Sequence, residues 1–160
     1  MDLQQDFKDA LASWASGVSV VAAIDGSGNS YGLTVSAFNS VSLDPPLVMV
    51  CLNRSNRLPG MIREDGRFTV SILAAGQDEV SNHFARSGRE PAANLDGFGK
   101  DQGERPPIVA GAASTLQCEA HDFVEEGDHT IVIGRVVAAA TDEVVPVLVY
   151  HRRGYHGVGE

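Results

Sequence analysis

Residues 31–56 read YGLTVSAFNSVSLDPPLVMVCLNRSN, and three changes of character along them decide the fold. YGLTVS has the β-branched and aromatic content of a short strand. FNSVSLDPPLVMVCL then passes Ser40 and Ser42 and reaches Pro45 and Pro46, which no central strand tolerates because proline cannot donate to a ladder. The run at 47–52 is wholly apolar, as a strand buried on both faces is. Hydroxyls at Thr34, Ser36, Ser40 and Ser42 recur at even spacing, so an extended chain presents them along one side. A solvated strand edge looks the same, and so does the lining of a polar site.

Outward from this stretch the pattern stays mainly β. VSVVAAI at 18–24 and YGLTVS flank the turn residues DGSGN, which is a hairpin signal. Gly26, Gly28 and Gly32 do not make a dinucleotide fingerprint, since no helix follows to receive a pyrophosphate. Upstream, Leu3, Phe7, Ala10, Leu11 and Trp14 recur at helical spacing, with Asp2 as N-cap and Gly17 as the stop. Downstream, a short helix is expected over 58–65, a strand over 67–73 and a second helix over 77–85, with Val80 and Phe84 on its buried face. Residues 86–107 turn to glycine, proline and charge, which reads as a functional or mobile loop. STLQCEA, the turn EEGDH, TIVIGRVVAAA and VPVLVYH complete a series of short strands. Few helices and no βαβ alternation indicate an antiparallel sheet or barrel in a single domain over 1–160.

Twelve Lys and Arg against twenty-one Asp and Glu give a net charge of −9, a field that repels a phosphate backbone and excludes nucleic acid as a partner. Any phosphate-bearing ligand then needs a local cluster of donors. Arg54 with Arg57, Arg86 with Arg89, and Arg152 with Arg153 are the candidates. No window has the length or apolarity of a membrane span, and the N-terminus lacks a leader pattern, so a cytoplasmic protein is expected. Cys51 and Cys118 lie in apolar runs and read as reduced, buried thiols. Cys118 and His121 are spaced like metal ligands, yet residues three apart on a strand face opposite ways, and no metal is expected. His129 opens a strand after its turn, and Tyr155 lies near the C-terminus; each is a surface residue unless other features draw it into a site.

The order of blocks resembles the flavin reductase family that supplies reduced flavin to partner monooxygenases. FKDALASWASGVSVVAA, YGLTVSAFNSVSLDPPLVMVCLNRSN, RFTVSILAAGQDEVSNHFA, LQCEA, GDHTIVIGRV and PVLVYHRRGY follow one another from residue 7 to residue 155. The resemblance implies a flavin-binding split β-barrel, a Greek-key antiparallel architecture with a few helices, forming a homodimer. It implies NADH, or NADPH, as hydride donor and FAD, rather than FMN, as acceptor. The flavin site carried over comprises Thr34, Ser36, Ala37, Ser40, Val41, Ser42, Cys51, Leu52, Asn53, Ser55, Arg57, Phe84 and Arg86, with His129 and Tyr155 toward the nicotinamide. No nucleophile is implied; His129, Ser40 and Ser42 act by positioning. Asn39 and Asn53 depart from the small or hydroxyl residues common at their positions. Two other readings stand beside this one: a barrel that binds flavin or haem without turnover, and an oxidoreductase whose tightly held flavin reduces another acceptor.

Overall fold

The computed structural model describes residues 2–159. Asp2 accepts a hydrogen bond from the Gln4 N–H and starts α1 (Leu3–Ala12) as its capping chemistry requires. The helix stops short of Gly17, because the Ser13 N–H turns back to Ala10; Gly17 instead lies in β1 (Ser16–Gly17), opposite Val149. The hairpin β2 (Ser19–Ile24) and β3 (Ser30–Val35) forms around the expected turn. β4 (Phe38–Ser42) leads through the prolines to β5 (Leu47–Asn53). α2 (Leu58–Asp65) has Pro59 in its first turn and Gly66 as a left-handed C-cap, the asymmetry that marks helix ends. β6 (Arg67–Ile72) and α3 (Asp78–Ala85) follow within a residue of their sequence bounds.

Residues 86–107 are not structureless. Ala92 exchanges backbone hydrogen bonds with Ser30, Leu95 is buried, and the hairpin of β7 (Gly99–Gln102) and β8 (Arg105–Val109) closes the segment. Asn94, Leu95 and Asp96 all have φ near +50° (46°, 51° and 53°), a left-handed conformation that Asn and Asp tolerate and Leu95 does not favour. Burial of Leu95 and the bond from its N–H to Ser30 Oγ hold it in place. β9 (Ser114–Glu126), β10 (His129–Thr141), β11 (Val147–His151) and β12 (Gly154–Val158) complete the chain. β12 was not expected, since its glycines hide it until it pairs with β11.

The protein is mainly β with three α-helices among the described residues. Seven strands form one antiparallel sheet in the order β3-β2-β6-β9-β10-β5-β4. Hydrogen bonding does not close this sheet into a ring. β3 and β4 are its two edges, and they are joined directly by Ser36 and Ala37. β2 explains why the sheet curls: it is buried on both faces. Val21 and Ala23 enter one core with Val50, Leu52, Phe68 and the α2 residues Leu58 and Ile62. Val20 and Ala22 enter the other with Leu73, Phe84, Leu95 and Leu148. Each such side chain removed from water contributes about 1.5–3 kcal/mol, and their alternation fixes the register.

Candidate functional site

The corner where one sheet edge passes into the other is the natural place for a cleft, because the ladder stops there on both sides. Ser36 and Ala37 turn this corner, with the Phe38 N–H bonded to Ser36 O and the Cys51 N–H to Ala37 O. A cavity of about 560 Å³ opens beside them, walled by Trp14, Phe38 and Met49 and rimmed by Ser36, Asn39 and Lys8. Its lining is mainly apolar, with the polar groups of Ser36 and Asn39 and the cations Lys8 and Arg153 among it.

From this cavity the outward face of β5 leads along the sheet. Val48, Val50 and Leu52 point into the core, so Met49, Cys51 and Asn53 point out. Four residues of strand carry the face about 13 Å. It ends at a second cleft of about 450 Å³ between the β5–α2 turn and the end of α3. There Asn53 Oδ1 accepts from the N–H and the hydroxyl of Ser55, which fixes the turn. The charged residues lining the cleft are Arg57, Arg86 and Arg89, with no carboxylate among the lining side chains. A chain of net charge −9 has thus gathered three cations in one hollow.

The three arginines are held differently. Arg89 donates to Gly32 O at 2.6 Å and Phe84 O at 3.0 Å, with its guanidinium over Tyr31 and Phe84. Arg86 reaches His83 Nδ1 at 3.1 Å. Arg57 meets the Glu90 carboxylate through two parallel bonds of 2.9 and 3.0 Å. Arg54, indistinguishable from Arg57 in sequence, turns instead to Glu125 and Gly127 O.

The structure brings Ser36 and Ala37 to the first cavity and Asn53, Ser55, Arg57 and Arg86 to the second cleft. Cys51 lies between them on the β5 face, half-buried. Ser40, Val41 and Ser42 run along the exposed sheet edge and line neither hollow. Leu52 and Phe84 have their side chains wholly inside the two cores. Thr34 donates to Ser81 O at 2.6 Å, and Ser81 Oγ meets the Tyr155 hydroxyl at 2.8 Å, which also bonds Asn82. Tyr155 therefore ties β12 to α3 and contributes its ring to the core.

His129 stands directly across from Asn53 in the β10–β5 register. Asp128 holds its Nδ1 at 2.7 Å, and that hydrogen bond keeps the Asp128 carboxyl below the usual carboxylate range. The imidazole is partly exposed, next to the end of the outward face at Asn53. Sequence reasoning missed Trp14, Phe38 and Met49 as cavity walls. Trp14, expected at helical spacing, lies past the end of α1 and is 76% exposed.

Comparison with known proteins accords with this geometry. A family model described as a flavin reductase like domain matches residues 11–159. The chain is 41% identical over 153 residues to the reductase component of 4-hydroxyphenylacetate 3-monooxygenase from Thermus thermophilus, covering 96% of this chain and 95% of that one. It is 42% identical over 132 residues to a probable flavin reductase of Rhizobium meliloti, where the match covers 82% of this chain but only 42% of the relative's length. The solved NADH:FAD oxidoreductase SgcE6 of Streptomyces globisporus, in complex with NAD and FAD fragments, superposes with a TM-score of 0.85 at 27% identity, over 96% of this chain and 92% of that one.

Proposed function

Because the chain belongs to the flavin reductase like family, we propose that it uses NADH to reduce a flavin, FAD in preference to FMN, and releases the product to a partner monooxygenase. One observation carries the reading. The outward face of β5 joins a mainly apolar cavity at Met49 to an arginine cleft at Asn53. The donor set fits the ligand, with hydroxyl and amide groups and the cations Lys8 and Arg153 for a ring that gains negative charge, and guanidinium groups for a phosphate or pyrophosphate.

When bound, the flavin supplies the redox chemistry, accepting hydride from the nicotinamide at its N5. The protein's task is placement. Trp14, Phe38 and Met49 exclude water from the ring faces. Ser36, Asn39 and the corner backbone orient the ring edge and stabilise negative charge arriving there. Asn53, Ser55 and Arg57 hold the phosphate end. His129, fixed by Asp128, aligns the dinucleotide from the β10 side. Two rings held at reacting distance account for much of the rate. No dinucleotide-fingerprint turn is needed in this arrangement, and the chain's negative charge favours NADH over the more anionic NADPH.

The reading includes a single domain, a homodimer and a cytoplasmic setting. Among the described residues, Leu3, Phe7 and Leu11 of α1 and the adjacent Trp14 are exposed, and a second copy is the partner we assign to that face. No helix of the described residues is long and apolar enough to cross a membrane, and the free thiols of Cys51 and Cys118 suit a reducing compartment.

The test is NADH oxidation by the purified protein with FAD, with FMN and with neither. Turnover that appears only on adding flavin is expected, fastest with FAD. Absence of turnover with both flavins and both nicotinamides would overturn the reading.

A further inference from the structure

The arginine cleft has a competitor just outside its lining, Glu90, bonded to Arg57. Of the cleft's three cations, Arg89 is engaged by three backbone carbonyls and two rings, and Arg86 by His83. Arg57 is the one whose forked donors point at an acidic group, Glu90, at 2.9 and 3.0 Å. A guanidinium fork binds a carboxylate and a phosphate with the same two parallel N–H donors. While Glu90 is seated, those donors are closed to a ligand.

Glu90 is kept there by its neighbours in the chain. Arg89, immediately before it, is fixed to Gly32 and Phe84. Ala92, just beyond Pro91, exchanges two backbone hydrogen bonds of 2.8 and 2.9 Å with Ser30. A side chain between two such anchors stays close to Arg57 even when displaced, and competes at an effective concentration that no added ligand dilutes. Its carboxylate is 77% exposed, so displacement into water leaves no buried charge behind.

We propose that Glu90 is a specificity-determining residue: an internal anion on Arg57 that the phosphate of a flavin nucleotide must displace, and which lowers affinity for phosphate-bearing flavins while leaving riboflavin untouched. The inference rests on the flavin reading above and supplies what that reading needs, a moderate affinity that lets the product leave.

The experiment is equilibrium titration of wild-type and Glu90→Gln protein with FMN and with riboflavin, followed by quenching of the fluorescence of Trp14, the chain's one tryptophan. Glu90→Gln is expected to lower the FMN dissociation constant about 1.5- to 5-fold, the range of an exposed ion pair. The riboflavin constant is expected to stay unchanged. In an Arg57→Ala background the Glu90→Gln effect on FMN is expected to vanish, which a merely structural role for Glu90 does not produce. Equal shifts for both flavins, no shift for FMN, or a shift that persists without Arg57 would each overturn the inference alone. Wild-type protein that binds neither flavin would overturn the flavin reading, and this inference with it.

Discussion

His83 is enclosed between Phe84 and Phe98, with ring centroids at 4.9 and 4.8 Å. Its Nε2 lies 3.2 Å from the Asp96 carboxylate but makes no aligned hydrogen bond. Burial first, then the nearby Arg86 and Arg89, push its pKa below the ordinary 6.5, and Asp96 only partly opposes them. The folded protein prefers the neutral ring, so this stability is present above the unfolded pKa and lost as pH falls through the depressed folded value. Thermal melts at about pH 7.5 and about pH 5.5 are expected to show a larger drop for wild type than for His83→Gln. Equal drops would place the acid-sensitive group elsewhere. Cys118 gives the opposite case: burial raises its thiol to about 12. Its contribution is full below the ordinary 9.0 and fades as pH rises toward 12. A thiol reagent at about pH 8 is expected to spare Cys118 in the native protein and to modify half-buried Cys51 first; early loss of the Cys118 thiol would mean its core opens readily. Cys118 is the buried thiol that its apolar run indicates, whereas Cys51, expected to be buried as well, is half-buried because it falls on the outward face of β5. The choice of Arg57 over Arg54 was not legible in the sequence, because it depends on Glu90 and Glu125, which only the fold brings near.

At the scale of elements, local chemistry explains what could be read. Pro59 and Gly66 bracket α2, and the continuous apolar runs of β2 and β5 mark them as strands of the core without saying which side chains face which way. The hydroxyl series was read as one lining, but the structure divides it. The corner at Ser36 and Ala37 sends Thr34 toward α3 and Ser40 along an edge, and a bulge between Ser40 and Ser42 breaks the alternation on β4. β10 makes a similar departure next to Gly134, where its register against β9 shifts. A Cβ there would lie 2.7 Å from Phe68 Cε1 and 3.1 Å from Cys118 Cβ. Neither is the tip of a flexible chain, so Gly134→Ala is expected to destabilise by about 1–3 kcal/mol. Denaturant unfolding is the measurement, with a lower midpoint and an unchanged slope. Since Gly134 pairs with Val48 on the strand that carries Met49 and Asn53, flavin affinity is expected to fall as well. A neutral outcome would mean that β10 can slide at this bulge.

The whole molecule has one face that its own chain leaves unfinished. α1 places Leu3, Phe7 and Leu11 on an apolar stripe, with Trp14 just past its C-cap, yet Leu3 is 80% and Phe7 61% exposed. Periodicity records only that a face is to be buried; it is silent about whose surface buries it. The first cavity takes Leu11 and Trp14 into its lining, so a partner that covers α1 is expected to cover the proposed ring site as well. Full burial of four such side chains at about 1.5–3 kcal/mol each, doubled by two-fold symmetry, is ample to hold two copies together against their repulsion at −9 apiece. That repulsion is screened over about 10 Å at 0.1 M salt, so the dimer is expected to tighten as salt is added. Light scattering is expected to give twice the protomer mass of 16.9 kDa, with Trp14 emitting as a buried indole. Phe7→Ser is expected to halve the mass, shift the emission to the red and weaken flavin binding together. A protomer mass at every concentration, with flavin binding intact, would instead show that the ring site is complete in one chain and that α1 faces a different partner.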